Sequence, residues 1–141
     1  MFEVARRIAR RAGSRATFSI GANDDLAPDR RAVEVVAAAS LLAVLSDRRA
    51  GIRTLWRKVA PRGTLLIVEP TARMTARNAD CLIAASRIES GSDVLRLWAR
   101  GREGQTVDSG IVAELDDVEE SEVHPLVDGL VAAWVIRRAA Q

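Results

Sequence analysis

The sequence predicts an α/β fold, a mainly parallel sheet with helices that ends in an antiparallel hairpin. Three observations carry this. Residues 32–39 (Ala-Val-Glu-Val-Val-Ala-Ala-Ala) form a nearly continuous apolar run, which suits a strand covered on both faces. A helical stripe and a second strand-like run, residues 64–68 (Thr-Leu-Leu-Ile-Val), follow at the spacing of a right-handed βαβ unit. At the C-terminus two strand-like runs, 118–124 and 130–137, are joined by a short connection containing Pro125, Asp128 and Gly129, which makes them antiparallel neighbours.

In chain order, residues 2–12 place Phe2, Val4, Ala5, Ile8, Ala9 and Ala12 on one helical face with arginines opposite, and Gly13 stops the helix. Residues 16–20 (Ala-Thr-Phe-Ser-Ile) read as a short strand, followed by a polar turn at 21–25 and a loop through Pro28. For 32–39 helix is the rival assignment because of the alanines, and 39–45 fits either state. Ser46-Asp47 caps the next helix, whose stripe is Ile52, Leu55, Trp56 and Val59, and Pro61-Arg62-Gly63 breaks it before the strand that ends at Glu69-Pro70. Residues 75–88 are helical with Ala79, Leu82, Ile83 and Ser86 inward. Asp93 caps a shorter helix carrying Val94, Leu97 and Trp98, and 108–115 is one more short helical piece.

Length and composition bound the function. The 141 residues fit one domain, and 48% hydrophobic with 28% charged residues is ordinary for a globular chain. A net charge of +2 gives no argument for a nucleic-acid partner. Arg6, Arg7, Arg10, Arg11 and Arg15 cluster at the start, where helical spacing reads first as a solvated face and second as a phosphate grip. One cysteine, Cys81, excludes an internal disulfide, and one histidine, His124, excludes a His/Cys metal cluster. No stretch is apolar and long enough to span a bilayer, and a cytoplasmic protein is the expectation.

The order of elements and several local segments resemble the class I S-adenosylmethionine-dependent methyltransferases, a Rossmann-like family. Residues 32–42 are similar to the family's fourth strand and the loop after it. Leu55-Trp56-Arg57-Lys58-Val59-Ala60-Pro61 resembles the end of the following helix, and 61–70 (Pro-Arg-Gly-Thr-Leu-Leu-Ile-Val-Glu-Pro) its Pro-Gly-Gly turn and fifth strand. Val123-His124-Pro125-Leu126 and Gly129-Leu130-Val131 with Trp134-Val135 resemble the closing hairpin. Residues 2–7 resemble the helix before the third strand, and 18–21 that strand's end. The resemblance runs from about residue 1 to residue 137 and covers the C-terminal two-thirds of the family's domain.

It implies a truncated, single methyltransferase-like domain. The family's glycine-rich turn and ribose-binding acid, both in its N-terminal unit, have no counterpart among these residues. It also implies S-adenosylmethionine as cofactor and a small-molecule methyl acceptor. Asn23 and Asp24 would contact adenine, and Ser40 and Leu41 would lie below the methyl-bearing end. The alternative is a non-catalytic methyltransferase-like module that acts through a partner chain, because the strands missing from the sheet lie between the family's third and fourth. A homo-oligomer or partner chain would then complete the sheet. Arg62, in the middle of the Pro-Gly-Gly-like turn, would be strained if the turn needs a positive φ there. Arg73 and Met74 stand where relatives place substrate loops. Glu69 ends a strand, the end at which open α/β sheets bind ligands, and is the candidate for a polar substrate contact. Trp56, Trp98 and Trp134 read as core or hairpin packing. No catalytic base is assigned.

Overall fold

A computed structural model describes residues 2–16, 32–86 and 90–140. They fall into two compact units, Met1–Arg30 and Arg31–Gln141. Of the first, helix α1 (Phe2–Arg11) is described. Gly13 at φ 64° ends it, with the Ser14 N–H donating to the Ala9 carbonyl at 2.9 Å, the left-handed stop that glycine adopts without a Cβ clash. Of the strand expected at 16–20 only Ala16 is described, and residues 17–20 and the turn at 21–25, with Asn23 and Asp24, lie outside the described residues.

The second unit is a four-stranded sheet in the order β1-β2-β4-β3, made of β1 (Val33–Ala39), β2 (Val59–Pro70), β3 (Val118–Leu126) and β4 (Val131–Arg138). β1 and β2 are parallel, joined through α2 (Arg48–Trp56), so the 32–39 run is a strand and not a helix. β4 is antiparallel to both β2 and β3, so β1, β2 and β3 all point one way. Their carboxyl ends, at Ala39, Pro70 and Leu126, therefore lie at one end of the sheet.

Alternation sorts the side chains by face. Leu65 and Ile67 of β2 share a core with Trp134 and Ile136 of β4, with Leu42, Ile52, Leu55 and Trp56 around α2, and with Ile111 and Leu115 beside a 3₁₀ turn (Ser109–Glu114). A second core joins Met74, Ala79, Ala99, Leu130 and Val131 to Leu82 and Trp98, and holds helices α3 (Ala76–Ser86) and α4 (Ser92–Arg102). Each face of the sheet thus has its own helical layer. The three tryptophans all belong to these cores. Trp56 also donates its indole N–H to the Asp116 carbonyl at 2.8 Å and carries the Arg138 guanidinium 5.4 Å from its ring centroid.

Several boundaries differ from the sequence expectation. α2 stops at Trp56, and β2 already begins at Val59, so Pro61-Arg62-Gly63 lies inside the strand. The ladder absorbs it as a bulge, pairing Val33 with Val59 and Val35 with Thr64. Arg62 takes the positive φ, 60°. Gly63 must be glycine, because a Cβ there would meet the Ala60 and Glu34 carbonyl oxygens at 2.7 and 2.8 Å. α4 is capped by Gly91 at φ 83° and not by Asp93. It buries Ala99 and leaves Val94 and Leu97 each 69% exposed. Ser86, expected inward on α3, is exposed.

Candidate functional site

The carboxyl end of the sheet holds the candidate residues Ser40, Leu41 and Glu69. Strand periodicity sets Glu69 in line with Leu65 and Ile67, facing the first core, and its side chain has no exposed surface. A buried carboxylate is costly unless its oxygens are satisfied. Here the backbone N–H groups of Leu41 and Leu42 both donate to Oε1 at 2.7 Å, and that of Ala43 donates to Oε2 at 3.3 Å. Charge-assisted bonds of this kind are about twice as strong as neutral ones. Glu69 therefore touches the loop leaving β1 and has no contact with solvent.

That loop is a 3₁₀ turn, Leu42–Val44, whose first N–H groups would otherwise lack acceptors. Ser40, the residue before the anchored amides, sits at φ 51°, a left-handed conformation that costs a non-glycine residue about 1–2 kcal/mol. It is held there from both sides: its own N–H donates to the Val68 carbonyl at 2.8 Å, and Glu69 grips the next three residues. The Ser40 side chain is half-buried, and its hydroxyl makes no hydrogen bond among the described residues. The structure thus brings Ser40, Leu41 and Glu69 together, as neighbours across the β1–β2 pair.

The loop after β2 is tied to the β3–β4 turn. Thr71 donates its hydroxyl to the Gly129 carbonyl at 2.6 Å and its N–H to the Leu130 carbonyl at 3.0 Å. Arg73, exposed, lies 3.7 Å from the Asp128 carboxylate. Met74 is fully buried in the second core, so of the pair singled out in sequence only Arg73 faces solvent. On the other flank the Val107 N–H donates to the Pro70 carbonyl at 3.0 Å, which brings residues 105–114 alongside the end of β2. A cavity of about 220 Å³ opens there between the start of α2 and this segment. The sequence singled out neither this cavity nor the three amides on Glu69. Two consecutive arginines just after a helix cap, Arg48 and Arg49, were the available signal for the first.

No family model and no curated protein matches the chain. Solved structures do. The plantazolicin methyltransferase BpumL, in complex with a triazolic desmethylPZN analog and SAH, superposes with a TM-score of 0.62 at 10% identity, over 96% of this chain and 64% of its own. The fold is a methyltransferase fold. The N-methyltransferase NodS from Bradyrhizobium japonicum WM9, in complex with S-adenosyl-L-homocysteine, gives 0.56 at 14% identity, over 98% of this chain and 63% of its own. An O-methyltransferase family protein from Burkholderia thailandensis gives 0.60 at 16% identity, over 98% of this chain and 41% of its own. The chain spans less than two-thirds of the length of these structures. Within this methyltransferase fold, Ser40, Leu41 and Glu69 occupy the carboxyl end of the sheet, the end at which open α/β sheets take ligands. No helix among the described residues is long and apolar enough to cross a membrane.

Proposed function

We propose that the chain is the C-terminal part of an S-adenosylmethionine-dependent methyltransferase acting on a small molecule, and that the loop at Ser40–Leu41 would lie against the methyl-bearing end of the cofactor. The observation that carries this reading is the Glu69 anchor. A strained serine whose hydroxyl is unengaged among the described residues is held at the carboxyl end of a parallel strand pair by a carboxylate that grips three consecutive backbone amides. Strain of this kind persists where the surroundings over-determine it, and it concentrates at binding sites.

These residues fit one side of a cofactor site. Ser40 would offer a hydroxyl and Leu41 an apolar surface, with Asn23 and Asp24 assigned by resemblance to adenine. A bound cofactor of this class supplies an electrophilic methyl group on a sulfonium. The protein's task is to hold the acceptor in line with it, and rigid placement of the loop serves that task. Glu69 acts through the loop: it is a positioning residue, and its contribution to substrate binding runs through Ser40 and Leu41. The neighbours bound to S-adenosylhomocysteine support the reading at the level of fold.

A second reading is a non-catalytic methyltransferase-like module completed by a partner chain or a second copy. It is favoured by β1, which pairs only with β2 among the described residues and leaves Val35 62% exposed. Calorimetry with S-adenosylmethionine at millimolar concentration separates the two. Heat of binding that weakens in Ser40→Ala, which removes the hydroxyl and keeps the backbone N–H bond to Val68, supports the enzyme reading, and no heat above the dilution blank rejects it for this chain.

A further inference from the structure

We propose that the cavity between the start of α2 and residues 105–114 is a subsite for a small organic carboxylate, with Arg48 as the recognising cation. As the acceptor subsite of the methyltransferase it rests on the function proposed above; as a carboxylate site it stands alone. Its lining includes Arg48, Arg49, Thr106, Asp108, Gly110 and Glu114. Its place is fixed by two bonds. Val107 is tied to the Pro70 carbonyl, one residue beyond Glu69, and the Arg48 Nη1 donates to the Thr106 carbonyl at 2.7 Å. The cavity therefore adjoins the same strand end as the Glu69-anchored loop.

The charges on its walls are unequally engaged. Glu114 is shared between Arg49 at 3.2 Å and Arg53 at 3.1 Å. Asp108 accepts the Gly110 N–H at 2.7 Å, capping its own 3₁₀ turn. Arg48 is half-buried and has a backbone carbonyl as its partner but no carboxylate among the described residues. A guanidinium carries five N–H donors in a planar fork that matches a carboxylate, so most of its donors remain for a ligand. The helix itself gives no reason for this cation: Arg48 and Arg49 open α2, where the macrodipole favours negative charge. Gly110 keeps the opposite wall low, since a Cβ there would meet Asp108 Oδ1 at 2.8 Å.

The test is an amide and guanidinium NMR titration of the 141-residue chain at low salt, with benzoate as probe and benzamide and benzylamine as isosteric neutral and cationic controls. Benzoate is expected to shift Thr106, Val107, Gly110 and the Arg48 Nε–H saturably, and the two controls are expected to leave them in place. Arg48→Met should weaken benzoate at least about tenfold, and Arg48→Lys, which keeps the charge without the fork, should weaken it by a smaller factor. Benzoate that leaves these resonances unmoved overturns the proposal, as does a control that shifts them equally. Wild-type affinity in Arg48→Met does the same. The probe comparison uses the wild-type chain, so it stands whether or not the variants fold. S-adenosylhomocysteine titrated into a separate sample reads the cofactor reading by itself: its failure to bind with benzoate still bound sinks that reading and leaves the carboxylate site.

Discussion

Three backbone donors converge on the Glu69 carboxylate at a place with no access to water, so the cost of removing it follows from desolvated N–H groups and not from lost packing. Glu69→Ala should destabilise the fold by about 3 kcal/mol, read as a lower urea midpoint at unchanged slope. Glu69→Gln keeps one carbonyl acceptor and should cost about half as much. Strain gives the opposite sign elsewhere. Val127 opens the β3–β4 turn at φ 50° with a β-branched, largely exposed side chain. Val127→Gly should therefore raise stability by about 1 kcal/mol by the same assay. Arg62 was legible as a strained position, because a Pro-x-Gly turn with arginine in the middle leaves little choice of φ. Val127 was not, since the sign of φ in a hairpin turn depends on the register of both strands. Glu69 was legible as a strand-end acid but not as an anchor: its partners are amides about 27 residues away, at 41–43, and a sequence does not show where an N–H points.

At the level of elements, β1 shows how far an apolar run constrains a strand. Residues 32–39 suggested cover on both faces, yet Val36 and Ala38 pack on the first core while Val35 is exposed. Val35→Lys should change stability by less than about 0.5 kcal/mol and reduce concentration-dependent light scattering, because a charge on an edge strand discourages pairing with another chain. Val36→Lys, on the packed face, should cost more than about 2 kcal/mol. Equal effects of the two substitutions would mean that the faces are assigned the wrong way round. α4 illustrates the limit of periodicity. Val94-Leu97-Trp98 and Leu95-Trp98-Ala99 are both helical stripes sharing Trp98, and the choice between them is made by contact with α3 and β4, which the local pattern does not contain. The start of β2 was hidden for a related reason: Pro61 and Gly63 look like a breaker, and only the partner strand turns them into a bulge.

The topology of the second unit was the most legible feature, because a crossover helix forces β1 and β2 to be parallel and a short connection forces β3 and β4 to be antiparallel. Cofactor affinity is a different matter, since it sums contacts from every wall of a site. The residues proposed for that site, Asn23 and Asp24 at adenine and Ser40 and Leu41 at the methyl-bearing end, form only part of its wall, and no glycine-rich turn or ribose-binding acid is recognisable in the 141 residues. The chain by itself should therefore bind S-adenosylhomocysteine weakly but measurably, with a dissociation constant of about 1 mM. At about 1 mM ligand that stabilises the fold by about 0.4 kcal/mol, a rise of about 1–2 °C in melting temperature for a chain of this size. A site complete within these residues, with a constant near 10 μM, would add about 2.7 kcal/mol and raise the melting temperature by about 10 °C under the same conditions. The two outcomes differ severalfold, well beyond the scatter of a thermal melt. The larger shift would show that other residues of this chain supply the ribose and methionine contacts, and the smaller one that those contacts need further chain, in cis or from a partner.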